Sequence, residues 1–178
     1  MSESHSGGRP ALNSSMTDER DVLAGWATES LRGYPAVACV TLNFKQGLQM
    51  PHGWARLTAD IARQQVKWLF RNVDRTIYGN QYKRSGKKTS RLVVNEGMDG
   101  FKRLHAHLAI GVPANISPVK FLELLENVWS RAHWGYGHGD MDLCENLDKW
   151  VSYITKTGTE CIDDENTKFE VAEAKYLH

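Results

Sequence analysis

A glutamate, Glu96, precedes the run His105-Ala106-His107, and further along the chain reads Tyr153-Ile154-Thr155-Lys156. One carboxylate and two imidazoles suit a divalent metal and leave coordination positions open for water and a phosphate oxygen. A tyrosine with a lysine three residues later offers a nucleophile and a positive charge. Together these types describe metal-assisted attack of a tyrosine on a phosphodiester.

Each of these residues needs an element to position it. Alternation over residues 103–112 predicts a strand with His105 and His107 on one face and Leu104, Ala106, Leu108 and Ile110 on the other. The apolar face is expected to lie under helices, which leaves the imidazoles on the open side of the sheet. Residues 90–96 predict the preceding strand and 97–100 a turn, a hairpin that brings Glu96 to the histidines. Residues 36–44 read as the first strand, with Ala38, Val40 and Leu42 on one face and Cys39, Thr41 and Asn43 on the other. Thr41 and Asn43 can then emerge beside the imidazoles.

Residues 147–158 predict the last helix. Lys149, Tyr153 and Lys156 fall at i, i+4 and i+7 on one side, while Trp150, Val151 and Ile154 anchor another. A tyrosine titrates near ~10, so attack at neutral pH needs neighbouring cations and a polarised phosphate. Taken alone, the histidine pair reads as two exposed strand residues, and a lone Tyr-x-x-Lys as a core tyrosine between surface lysines. The order of the pieces is what makes them specific. A closed zinc site would need a fourth ligand, and the spacing of His133, His138 and Cys144 fits no zinc pattern.

The remaining elements follow from caps and periodicity. Thr17 is expected to start a helix with Leu23, Trp26 and Leu31 inward, stopped by Gly33 and Pro35. Residues 58–72 predict a helix, and 76–82 a strand leading into a flexible basic loop, Lys83-Arg84-Ser85-Gly86-Lys87-Lys88. Ser117 caps a helix to about residue 133, and residues 140–144 form a short strand after an aromatic, Gly-rich stretch. The order predicts an α+β fold: a central antiparallel sheet of about five strands with helices packed on one face. Residues 1–16 read as a disordered tail, 17–160 as one domain and 161–178 as an acidic tail.

Composition narrows the classes. A chain of 178 residues, 41% hydrophobic, suits one domain with its own core. The net charge of +1 offers no global basic signal, so nucleic-acid contacts must rest on local patches. Three cysteines with no CxxC spacing point to a reduced interior rather than a disulfide framework. No apolar run approaches the ~20 residues of a membrane span, and the first residues lack a signal-peptide layout. The expectation is a protein with no membrane partner, working in the cytoplasm or wherever its DNA is.

The chain resembles the HUH endonucleases, specifically the single-tyrosine replication initiators (Rep proteins) of rolling-circle plasmids and small single-stranded DNA viruses. Val40-Thr41-Leu42-Asn43 is similar to the family's first motif. His105-Ala106-His107-Leu108 resembles the His-hydrophobic-His motif, with Glu96 where circular-DNA virus initiators place an acidic metal ligand. Tyr153-Ile154-Thr155-Lys156 resembles the YxxK motif. The match spans residues 36–158, and the tyrosine follows the histidines, unlike the order in conjugative relaxases. Single-tyrosine transposases share the order but usually follow the tyrosine with glutamine where Lys156 stands.

The resemblance implies an RRM/ferredoxin-like fold and a Mg²⁺- or Mn²⁺-dependent nick in single-stranded DNA or an origin hairpin, leaving the 5′ phosphate on Tyr153. It implies DNA contacts from Lys83, Arg84, Lys87, Lys88, Trp134 and Tyr136, with Thr41, Asn43 and Lys149 as further DNA-binding candidates. No GxxxxGK[ST] pattern occurs, so a separate or fused helicase is an expected partner. The setting would be a prokaryotic cytoplasm, or a nucleus for a eukaryotic virus. The competing reading is an RNA-binding RRM-like module, which stacks bases on sheet-face aromatics. The expected face carries His105, His107, Thr41 and Asn43 instead.

Overall fold

The chain enters through α1 (Ser14–Arg32), which starts ahead of the expected Thr17 cap and ends before Gly33 and Pro35. Next come β1 (Val37–Asn43), β2 (Gly47–Met50), β3 (Gly53–Arg56), α2 (Ala59–Tyr78) and α3 (Asn80–Ser85). The chain continues through β4 (Arg91–Glu96), β5 (His105–Gly111), α4 (Pro118–Trp129), β6 (Asp140–Leu143) and α5 (Leu147–Ile154). This computed structural model describes residues 14–97 and 102–170. The expected tail over residues 1–13 and most of the expected turn at 97–100 lie outside the described residues.

Four strands form one antiparallel sheet in the order β4-β5-β1-β6, while β2 and β3 form a separate two-stranded ribbon. The α+β architecture is therefore as expected. Thr58 and Ser117 cap α2 and α4 by accepting from the Ile61 and Lys120 amides, which satisfies donors that the helices leave bare.

Two expectations fail. Residues 76–82 form no strand: α2 runs to Tyr78 and, after Gly79, α3 carries Lys83 and Arg84. The β-branched and aromatic residues that suggest a strand there belong to a helix whose other side is already anchored by Val66, Leu69, Phe70 and Val73. The helices also do not share one face. α2 and α4 cover Ala38, Val40, Leu42, Ala106, Leu108 and Ile110. α1 and α5 bury Ala27, Leu31, Val151 and Ile154 against Val37, Leu92, Val94 and Ala109, on the face that also carries the histidines. That face is covered at its Val37 end, and the histidines lie toward the Asn43 end.

The segment after residue 158 belongs to the packed body as well. A single 3-10 turn, Thr159–Cys161, leads into a stretch that bridges Val94 through Ile162 and Arg91 through Lys168. Asp163 and Asn166 are buried there, and Phe169 meets Trp26 edge-on. Through Glu170 the expected acidic tail covers the free edge of β4, which would otherwise expose unpaired backbone groups.

Candidate metal centre and tyrosine

Register places the ligand set. Glu96 pairs with His105 across β4 and β5, and His107 pairs with Val94 on one side and Thr41 on the other. Alternation then puts Glu96, His105 and His107 on one face. Gly97 makes the approach possible: its φ is +86°, and a Cβ there would lie 2.7 Å from the Arg103 carbonyl oxygen. That same carbonyl accepts from His105 Nδ1 at 2.8 Å.

The hydrogen bond orients His105. Nδ1 must carry the proton to donate to a carbonyl, so the neutral ring presents a bare Nε2. His107 bonds Thr41 Oγ1 through its own Nδ1 at 3.0 Å, which also turns Nε2 inward. The two Nε2 atoms stand 3.1 Å apart, and Glu96 Oε2 lies 3.3 Å from His107 Nε2 and 3.4 Å from that of His105. A cation with ligands at ~2.1 Å separates neighbouring donors by ~3.0 Å in octahedral and ~3.4 Å in tetrahedral geometry. The three edges span that interval. Glu96, His105 and His107 could hold a metal ion, and they form the only such group among the described residues.

Burial and neighbouring charge set the protonation states of the triad. Glu96 and His107 are both buried. The Lys102 ammonium, bonded to Glu96 Oε1 at 2.8 Å, holds the Glu96 carboxyl down at about 2; burial opposes this and Lys156 and His105 add to it. Burial pushes His107 down to about 4, with His105 adding to the shift and Glu96 opposing it. A neutral imidazole and an ionised carboxylate are the forms that bind a metal.

α5 brings the tyrosine to this cluster. Asn146 caps the helix through the Lys149 amide, and the Trp150 indole donates to the Leu108 carbonyl at 3.0 Å, fixing the helix to β5. Tyr153 stacks on Trp150 and meets the His107 ring edge-on at 5.6 Å, with its own ring half-exposed. Lys156 lies past the end of α5 rather than within a continuous helical face. Its Nζ nevertheless sits 3.9 Å from the Tyr153 ring centre and 3.6 Å from Glu96 Oε2. Tyr153, Lys156, Glu96, His105 and His107 are thus brought together as expected.

The expected DNA-contact residues divide. Thr41 orients His107, Asn43 pairs with His105, and Lys149 is exposed one turn before Tyr153. Tyr136 is 60% exposed, and its amide bonds the Asn43 carbonyl at the same end of the sheet. Trp134 is buried instead, so no base can stack on it. Lys83, Arg84, Lys87 and Lys88 lie before Arg91, at the far end of β4 from Glu96, a separation of about 16 Å along the strand. There the Lys87 ammonium faces the Tyr78 ring, and the Lys88 amide donates to Glu170.

Thr41 as the orienter of His107, Lys102 on Glu96 and the Trp150 ring edge-on to His107 at 5.7 Å were not anticipated from sequence. Thr41 alone had a signal, its shared strand face with the histidines. No family of known proteins, no curated protein and no solved structure matches the chain.

Proposed function

We propose that this protein is a metal-dependent single-stranded DNA nicking and joining endonuclease of the HUH type, acting through Tyr153 as an initiator of rolling-circle replication. The observation that carries the reading is the convergence of three metal-donor atoms within 3.1–3.4 Å of one another, beside a tyrosine whose ring meets one of the ligands. A metal bound by Glu96, His105 and His107 would polarise the scissile phosphate as a Lewis acid. Three protein donors with positions left open are unlike a closed four-ligand zinc site, and Mg²⁺ or Mn²⁺ suits the phosphoryl chemistry of this reading.

The chain's own residues supply the rest. Tyr153 Oη attacks phosphorus as the phenol proton leaves to solvent. The bond to the 3′ oxygen breaks, and that oxygen departs with a proton as a free 3′ hydroxyl. Lys156, against both the Tyr153 ring and Glu96, places positive charge where negative charge develops. The phosphotyrosyl ester retains the energy of the original diester, so reversal rejoins the ends without ATP. A partner helicase and the replicon setting belong to this reading.

Incubation with single-stranded oligonucleotides and Mn²⁺ should produce a covalent protein–DNA adduct visible by denaturing electrophoresis and mapped by mass spectrometry to Tyr153. Tyr153→Phe should abolish it while DNA affinity stays close to wild type. An adduct that persists in Tyr153→Phe, or that maps to Tyr136, removes Tyr153 as nucleophile.

A further inference from the structure

The β2–β3 ribbon takes no part in the main sheet, yet it carries a large exposed aromatic. Gln49 pairs with Trp54 and Gly47 with Arg56, so these four share one face. Trp54 is 70% exposed. Its indole rests directly on Gly47: a Cβ there would fall 2.4 Å from indole Cζ2 and 2.7 Å from Cε2. One side of the ring is backed by backbone and the other faces solvent. An indole so exposed adds little to a core.

Position and charge give the ribbon a purpose. It springs from the end of β1, with three residues between it and Asn43, the register partner of His105. Gln46 at its root bonds both the amide and the carbonyl of Leu104, beside His105. Between Asn43 and Thr58 there is no Asp or Glu, whereas Lys45, His52 and Arg56 are present. The exposed Tyr136 is tied to Asn43 at the same end of the sheet. A basic ribbon with an open indole face matches a polyanion that offers unpaired bases.

We propose that the β2–β3 ribbon grips single-stranded DNA, with Trp54 as a base-stacking platform and Arg56 as a phosphate contact. The inference rests on the strand-transfer reading above and names where that reaction's substrate is held. A duplex hides its base faces, so the ribbon selects single strands. If Trp54 serves only to cover a strand glycine, its loss leaves DNA binding unchanged.

Fluorescence anisotropy of a labelled short oligothymidylate, measured in EDTA to suppress cleavage, tests this. Trp54→Ala should weaken binding roughly 5- to 100-fold, the range expected for one lost base stack. Trp54→Phe should keep most of the affinity, and Gly47→Ala should lose part of it because the new Cβ dislodges the indole. Mn²⁺ affinity should match wild type in all three, which shows that the fold and the triad are intact. Wild-type oligonucleotide affinity in Trp54→Ala overturns the inference. A tyrosyl adduct formed while Trp54→Ala binds like wild type removes the ribbon alone. Loss of binding in Trp54→Ala, with wild-type protein that forms no adduct, keeps the ribbon and removes the strand-transfer reading.

Discussion

The two ends of β4 carry buried charge in opposite ways. At one end the Arg91 guanidinium lies 3.0 Å from Asp74 Oδ2, donates to Thr89 and to the Asn166 carbonyl, and lies over the Phe70 ring. Asp74 Oδ1 in turn accepts from the Thr89 amide and hydroxyl. Donors meet acceptors throughout, and this end is closed. At the other end, Glu96, His105 and His107 bring one oxygen and two ring nitrogens within 3.4 Å of one another, with Lys102 and Lys156 against the carboxylate. Burying both ions is costly, and a closed pair offsets that cost internally. The convergent end instead gathers three ligand atoms closely enough to share one cation. Burial and charge are common to both ends; the convergence of ligand atoms is found at one.

Breaking the closed end should have the largest effect. Asp74→Ala leaves the Arg91 charge buried without its carboxylate and should cost about 3–5 kcal/mol of folding stability, read by urea denaturation. A loss below ~1 kcal/mol would show that the two ends do not differ as described. Thr41→Val acts at the open end without touching a ligand atom. It should weaken Mn²⁺ binding roughly 10- to 100-fold by freeing the His107 ring, with little change in stability. Unchanged Mn²⁺ affinity would show that Thr41 does not orient His107.

The smallest effect concerns pH. Burial, with His105 beside it, pushes His107 down to about 4 in the folded protein, below the ordinary value of 6.5. The unfolded chain therefore takes up this proton first as pH falls. Stability of the metal-free protein should rise with pH from about 4 to about 6.5 and then level. His107→Gln should flatten that rise in denaturation series run in EDTA. An identical slope in the two proteins would assign it to other groups.

Much of the site is visible in the sequence because strand alternation is a local rule. His105 and His107 share a face by spacing alone, and the hairpin supplies Glu96. Tyr153 and Lys156 are local too, though Lys156 reaches the cluster from beyond its helix. What the sequence hides depends on packing across long separations. Leu92, Val94 and Ala109 are apolar residues on the histidine face, a sign that the face is partly covered, yet only the docking of α1 and α5 shows by what. Trp134 reads like Tyr136 in sequence, but one is buried and the other exposed. The ribbon is short, and its Pro51-His52-Gly53 turn is a weak hairpin signal beside the stronger ones around it.

The cluster at the Glu96 end of β4 should bind a divalent cation. Titrating Mn²⁺ into the metal-free protein, followed by electron paramagnetic resonance of the free ion, tests it most directly. Wild-type protein should bind one ion per chain, Glu96→Gln should bind it more weakly, and His105→Ala should lose most of the affinity. Equal binding by wild type and His105→Ala, or no binding by wild type, would contradict the account.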